Sequence, residues 1–174
     1  MGSTLSAQPR ADWPSQPGGT ILLVEDDPDI AGMYGFRLQH DGYRVHVAMT
    51  GELALALAFQ FHADLVLLDI GLPAMDGLRV LRTLRADDRT CALPVVILSN
   101  YDDPGLIERG LQLGAIDYLI KSHTTPAGVS DGVARWMAAE AAGGSRTVME
   151  FDRASAVPGA ERPLPPEAPP PAGP

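Results

Sequence analysis

Short runs of Val, Ile and Leu alternate along the chain with segments that have the period of an amphipathic helix. The apolar runs cover residues 20–24, 44–48, 65–68, 95–98 and 118–120. Most of them are continuous rather than alternating, which is typical of strands buried on both faces of a parallel sheet. The pattern therefore predicts five parallel strands in a doubly wound α/β domain of the (βα)₅ type.

The segments between these runs carry the start and stop signals of helices. A capping side chain followed by proline, a common order at helix starts, occurs at 27–28, 103–104 and 125–126. Thr50 and Asp76 are further candidate caps, and Gly42 stands where a left-handed residue often ends a helix. The first predicted helix begins at Pro28 and ends before Gly42. The other four cover residues 52–61, 77–85, 104–113 and 126 to about 141. Since crossovers between parallel strands are right-handed, helices should cover both faces of the sheet.

Composition divides the chain into one predicted domain, residues 20–142, and two tails. Residues 1–19 are rich in Gly, Ser, Pro and Gln, and residues 143–174 are rich in Pro and Ala. Such segments lack the apolar material for a core, so we expect both tails to be disordered. No apolar run approaches the roughly 20 residues of a membrane-spanning helix.

Charge and cysteine content narrow the classes of function. The chain has 22 acidic and 13 basic residues and a formal net charge of −9, which disfavours binding to nucleic acid or an anionic membrane. Cys91 is the single cysteine, so an internal disulfide is excluded, and we expect it to be a small buried residue. A cytoplasmic location is expected.

Polar residues follow four of the five predicted strands. They are the acidic run 25–27, Asp69, Ser99 and Lys121, which is the only lysine of the chain. The carboxyl ends of parallel strands share one edge of the sheet, where α/β proteins bind ligands. Taken alone, Asp27 is explained as a helix cap, Ser99 as a loop cap and Lys121 as an exposed strand end. Their convergence favours a functional site.

The chemistry of such a site follows from its side chains. Carboxylates of Asp26 and Asp69 placed a few ångströms apart repel each other unless a cation lies between them. Mg²⁺ suits this position, because it prefers oxygen ligands and can bridge a carboxylate to a phosphoryl oxygen. An ionised aspartate is a competent nucleophile towards phosphorus, and a lysine and a hydroxyl can stabilise the transferring group.

Four motifs, in their order along the chain, resemble the receiver domain of bacterial two-component response regulators. They are L-V-E-D-D at 23–27, D-I-G-L-P-A-M-D-G at 69–77, V-I-L-S at 96–99 and D-Y-L-I-K at 117–121. The resemblance covers about residues 20–141. It implies a flavodoxin-like fold whose five-stranded parallel sheet has the strand order 2-1-3-4-5.

The resemblance also implies a role for each matched residue. Asp69 would accept a phosphoryl group from a histidine kinase or a phosphotransfer protein. Mg²⁺ would be bound by Asp26, Asp69 and the backbone carbonyl of Gly71, with Glu25 acting through water. Lys121 would contact the phosphoryl group or pair with Asp69.

Signalling would follow from two further residues. Ser99 would move to bond the phosphoryl oxygen, and Tyr118 would change rotamer with it. The shift would remodel the face formed by the fourth helix, fifth strand and fifth helix, where a downstream protein would bind. The resemblance predicts a single-domain regulator, monomeric or dimerising on phosphorylation, that is not an enzyme acting on other substrates.

The sequence departs from the family at two positions. Asn100 follows Ser99 where a small residue is usual and is expected to crowd the entry of donors or water. Ser122 follows Lys121 where proline is usual; because a cis bond to serine costs about 2.5–4 kcal/mol, we expect a trans bond. Tyr101 stands where side chains often influence the lifetime of the phosphoaspartate.

Three other classes of protein fit the sequence less well. An aspartate-based phosphohydrolase generally has a second aspartate two residues after its nucleophile, where this chain has Gly71. A nucleotide-binding domain would have glycines after the first strand in place of the acidic run. A phosphorylation-independent pseudo-receiver gains no support from a chain that carries all the acidic residues, the hydroxyl and the lysine.

Overall fold

The computed structural model describes the backbone of residues 18–141 and the side chains of residues 18–138. Within that range five strands alternate with five α-helices. The strands are β1 (Thr20–Val24), β2 (Arg44–Ala48), β3 (Leu65–Leu68), β4 (Val95–Ser99) and β5 (Asp117–Ile120). The helices are α1 (Pro28–His40), α2 (Gly51–Phe61), α3 (Gly77–Ala86), α4 (Pro104–Gln112) and α5 (Pro126–Ala141). The predicted elements are confirmed, with bounds that shift by a residue at some ends.

The strands form one parallel sheet in the order β2-β1-β3-β4-β5, as predicted. Its side chains pack into two apolar layers. One layer joins the sheet to α2, α3 and α4, and the other joins it to α1 and α5. The side chains of β3 and the apolar side chains of β4 are almost fully buried, which explains their continuous apolar sequence.

The helix starts are fixed by the predicted caps. Asp27 accepts hydrogen bonds from the backbone N–H groups of Asp29 and Ile30 at 2.9 and 3.1 Å. Thr50, Asp76, Asp103 and Thr125 cap the other four helices in the same way. These bonds satisfy amide groups that have no partner inside the helix, and each start lies just beyond the carboxyl end of a strand.

Gly42 has φ +93°, as expected for a left-handed residue just after α1.

Cys91 is expected from the sequence to be buried, and that expectation is wrong. It is exposed in the turn between α3 and β4, where its sulfur contacts the carbonyl of Asp88 at 3.5 Å.

The predicted tails, residues 1–19 and 143–174, lie outside the described residues except for Gly18 and Gly19, so the domain limits stay a prediction. None of the helices that the structure describes has the length and apolar character needed to cross a membrane.

Asp41 ties the end of α1 to α5 and makes stability depend on pH. It accepts hydrogen bonds from Ser130 Oγ at 2.5 Å and Arg37 Nε at 2.6 Å. These contacts, with His40, lower the pKa of Asp41 from 3.8 to about 2. A carboxyl with a lowered folded-state pKa stabilises the fold above its unfolded pKa and loses that contribution as pH falls through the folded value. We therefore expect stability to fall between about pH 4 and pH 2.

The Ser130→Ala variant isolates this effect. It removes the contact with the largest influence on Asp41, so the pKa of Asp41 should rise towards 3.8. Carboxyl-carbon NMR titration of the two proteins measures the change directly. A titration curve for Asp41 that is identical in both would contradict the assignment.

Candidate functional site

Four side chains from separate strands meet at the carboxyl edge of the sheet. Glu25 follows β1, Asp69 follows β3, Ser99 ends β4 and Lys121 follows β5. Glu25, Asp69 and Ser99 are 2%, 6% and 0% exposed. The four strand ends therefore converge as the sequence predicts. Glu25, Asp69 and Ser99 are too deeply buried to be ordinary surface side chains.

Three carboxylates form the acidic part of this site. One oxygen each from Glu25, Asp26 and Asp69 lies within 4.8 Å of the others. Asp26 faces solvent at the mouth, whereas the other two are buried. All of these donors are hard oxygen ligands, the kind preferred by Mg²⁺ and Ca²⁺.

Lys121 lies between the two buried carboxylates. Its Nζ is 2.5 Å from both Glu25 Oε2 and Asp69 Oδ2, and its side chain is 6% exposed. Burial alone would lower the pKa of Lys121, but its hydrogen bonds to Asp69 and Glu25 raise that pKa above its usual value. The ammonium is therefore held in its charged form.

Glu25 responds to the same surroundings in a different way. Burial raises its pKa, while its hydrogen bond to Lys121 opposes the increase and the charge of Asp69 adds to it. One ammonium cannot neutralise three carboxylates. The fully ionised cluster therefore carries two negative charges in excess, which a divalent cation would balance.

Asp69 is oriented by the backbone of the loop that follows it. The N–H of Gly71 donates to Asp69 Oδ1 at 2.8 Å, and Lys121 occupies the other oxygen. The position that a Cβ of Gly71 would occupy is 3.4 Å from both Asp69 Oδ1 and the ring of Tyr101. Tyr101, which is 52% exposed, therefore lies beside the entrance to the carboxylate.

Ser99 and Tyr118 are joined through the backbone at Tyr101. The hydroxyl of Tyr118 donates to the Tyr101 carbonyl at 2.8 Å, and the Tyr101 N–H points to Ser99 Oγ at 3.4 Å. Burial raises the pKa of Tyr118, its side-chain interaction with Ser99 opposes this increase, and the negative charge of Asp69 adds to it. Sequence reasoning missed the Tyr118 to Tyr101 bond, because no local pattern marks a contact across 17 residues.

The two unusual positions lie at the rim of the site. Asn100 is exposed beside Ser99. Lys121, Ser122 and His123 form a single 3₁₀ turn, and the bond to Ser122 is trans, as expected. Both Ser122 and His123 are exposed, so this turn sets the direction of Lys121 without adding a further side chain to the cluster.

Comparison with known families agrees with this geometry. Residues 21–129 match the family model described as the response regulator receiver domain. The chain belongs to the response regulator receiver family. The predicted resemblance is thus confirmed, and the four convergent side chains occupy the strand ends of a receiver domain.

Curated relatives share this domain within longer proteins. The DNA-binding dual master transcriptional regulator RpaA of Synechocystis is 40% identical over 101 residues, covering 58% of this chain and 42% of that protein. The DNA-binding response regulator MtrA of Mycolicibacterium smegmatis is 41% identical over 101 residues, covering 58% and 43%. The chain thus spans less than half the length of either. Because both are named as DNA-binding, they do not support the expectation of no contact with nucleic acid.

Solved receiver structures agree with the fold. Chemotaxis response regulator CheY4 of Vibrio cholerae has a TM-score of 0.63 and 27% identity, covering 68% of this chain and 98% of that one. The receiver domain of a sensor histidine kinase from Pseudomonas aeruginosa has a TM-score of 0.64 and 33% identity, covering 70% and 98%. That domain was solved with a magnesium ion coordinated in its active-site cleft.

Proposed function

We propose that this receiver accepts a phosphoryl group on Asp69 in a Mg²⁺-dependent reaction and signals by changing a protein-binding surface. The observation that carries the proposal is the position of Asp69, which is buried and has Lys121 on one oxygen and two further carboxylates within 4.8 Å. An aspartate in those surroundings has a nucleophilic oxygen, a cation for the incoming charge and ligands for a metal.

Mg²⁺ fits the donors at this edge. Asp26 and Asp69 would bind it directly, the backbone carbonyl of Gly71 would complete the protein ligands, and Glu25 would act through water. The excess of two negative charges in the cluster supports a divalent ion. When bound, such an ion supplies charge stabilisation for phosphoryl oxygens.

The transfer itself needs little covalent chemistry from the protein. A carboxylate oxygen of Asp69 forms a bond to phosphorus while the P–N bond of a donor phosphohistidine breaks, and the imidazole leaves with the electron pair. Lys121 is already beside Asp69 and would stabilise the charge on the transferred group. The residue would then carry an acyl phosphate in a buried, oriented position.

The response to phosphorylation would pass through Ser99 and Tyr118. Ser99 Oγ is fully buried, so it would bond the phosphoryl oxygen without competition from bulk water. Any movement of Ser99 would disturb the Tyr101 backbone that holds the Tyr118 hydroxyl. The face formed by α4, β5 and α5 would change as a result, which is a shift between two populated states.

The partners implied are a sensor histidine kinase or a phosphotransfer protein upstream and a protein bound by that face downstream. We propose that the receiver domain acts as a cytoplasmic regulator. It would catalyse only its own phosphorylation and dephosphorylation. Gly71 offers no acid for turnover of external esters, so a chromogenic phosphate ester should not be hydrolysed.

Intact-mass measurement tests the phosphoacceptor. The protein is incubated with phosphoramidate in Mg²⁺ or in chelator, and we expect one added phosphoryl group with Mg²⁺ only. Asp69→Asn should abolish the gain, whereas Asp102→Asn, a matched change of an exposed carboxylate near the same entrance, should retain it. Equal phosphorylation of the wild type and Asp69→Asn would overturn the proposal.

A further inference from the structure

The open edge of the sheet at β2 is a surface that the proposed function does not use. β2 pairs with β1 on one side and is the last strand of the described sheet. The Arg44 N–H and the Ala48 carbonyl bond towards β1. Backbone groups alternate along a strand, so the N–H and C=O groups of Val45 and Val47 point to the open edge. Such an edge is a template for another strand.

An apolar groove runs along this edge, between β2 and α1. It has a volume of about 320 Å³ and contains Phe36, Val47 and Met49 with several small residues of α1. Phe36 is 73% exposed and Val47 is 38% exposed. Gly32 and Gly35 also line the groove, and a Cβ built on either would meet nothing within 4 Å. The surface therefore combines a projecting aromatic ring with a notch in the same helix.

We propose that a second copy of this chain covers the edge, by antiparallel pairing of β2 with β2 across a twofold axis at His46. In a twofold interface each surface meets itself, so it must supply both a projection and a matching recess. The axis at His46 places Val45 opposite Val47 of the second copy. Each such pair exchanges two backbone hydrogen bonds, which makes four across the interface by symmetry. The two five-stranded sheets then form one continuous sheet across the interface.

The same axis brings the two α1 helices to packing distance. α1 packs on both β1 and β2. Since neighbouring strands are about 4.8 Å apart, a helix seated between β1 and β2 lies about 5 Å from an axis at the open edge. The two helices are then about 10 Å apart, near the usual 8–10 Å of packed helices. Strand pairing and helix packing are therefore compatible.

The side chains of α1 match when the helix meets its own copy antiparallel. Phe36 comes opposite Gly32 of the second copy, so each ring enters the notch of the other helix. α1 has Asp29 in its first turn and Arg37 and His40 in its last turn. Asp41 already pairs with Arg37 and His40, so the charges at this end are largely balanced within each chain. Antiparallel pairing still sets the two helix dipoles against each other favourably. The ring and the notch lie on one helix, and this self-complementary shape selects a second copy as the occupant.

The dimer uses neither the Asp69 cluster nor the face of α4, β5 and α5. It should form without phosphorylation, so its failure and the failure of the phosphoacceptor proposal are separate results. The structure thus assigns α1 and β2 to self-association.

Sedimentation velocity of the full chain over a range of concentrations tests the dimer. Phe36→Glu removes the apolar ring from the interface, and we expect at least about a tenfold weaker dimer, which corresponds to about 1.4 kcal/mol. Arg109→Gln on α4 makes the same change in net charge at the opposite edge of the sheet and should dimerise as the wild type does. A monomeric wild type at its highest soluble concentration, or equal dimerisation of Phe36→Glu, would overturn the proposal.

Disulfide trapping tests the register in a Cys91→Ser background. His46→Cys should form an intermolecular disulfide on oxidation, because a pair at the axis has its Cα atoms about 4.5 Å apart, within disulfide reach. Arg44→Cys is the matched control, since its own copy would be about 13 Å away along the strands, beyond that reach. Trapping of Arg44→Cys as fast as His46→Cys would exclude this pairing even if a dimer forms.

Discussion

Lys121→Met is expected to lower the free energy of unfolding by about 3–5 kcal/mol in chelator at neutral pH, the range for removing one partner from a buried ion pair. The Lys121 side chain is 6% exposed and contacts both Glu25 and Asp69. Methionine keeps an apolar stem of similar length but has no charge. Two buried carboxylates would then be left without a cation, and denaturant unfolding measures the cost.

Two comparisons separate this effect from a general loss of charge. Arg79→Met changes an exposed cation of α3 and should alter stability by no more than about 0.5 kcal/mol. Adding Glu25→Gln to Lys121→Met should recover part of the loss, because only one buried charge then lacks a partner. A cost for Lys121→Met as small as that for Arg79→Met would show that the carboxylates are not held by Lys121.

Mg²⁺ should increase the stability of the wild type and of Lys121→Met by different amounts. A ligand that binds only the folded state stabilises it by an amount that increases with the ligand concentration and with its affinity. Mg²⁺ should therefore raise the stability of Lys121→Met more than that of the wild type, because the variant has no ammonium to compete for Asp69. Equal stabilisation of both proteins would place the cation outside this cluster.

Local sequence predicted most of the fold because helix caps act over three residues. Asp27, Thr50 and Asp103 were predicted as caps from their positions before apolar periodic segments, and each accepts the expected backbone hydrogen bond. Continuous apolar runs predicted the parallel strands for a similar reason, since burial on both faces leaves little place for polar residues. The common edge of the polar groups then followed from the topology.

Contacts between distant segments were beyond such reasoning. Lys121 was predicted to pair with Asp69 or a phosphoryl group, but its second bond to Glu25 depends on the direction in which the 3₁₀ turn after β5 sends the side chain. The bond from Trp136 Nε1 to Asp117 at 3.0 Å likewise joins α5 to β5 through packing that no local pattern encodes. The depth of the site is thus a property of the assembled sheet.

Gly77 shows how packing around Asp69 constrains the start of α3. A Cβ on Gly77 would lie 2.3 Å from the Asp69 carbonyl oxygen and 2.5 Å from Ile70 Cα. Both atoms belong to the backbone, so they cannot move aside as a flexible side chain would. The D-G pair at 76–77 was interpreted from sequence as a helix start, and the structure adds a second reason for the glycine.

Gly77→Ala should therefore destabilise the protein by about 1–3 kcal/mol or more, as expected for an overpacked site. It should also slow phosphoryl transfer, because the displaced backbone is that of Asp69. Gly128→Ala is the matched control: a Cβ there makes only ordinary contacts, the nearest at 3.5 Å, so the change should be neutral or stabilising. Denaturant midpoints and phosphorylation rates of the two variants check both effects. Full stability in Gly77→Ala with an unchanged rate of phosphoryl transfer would mean that α3 shifts freely, and that the strand end, rather than the helix start, holds Asp69 in place.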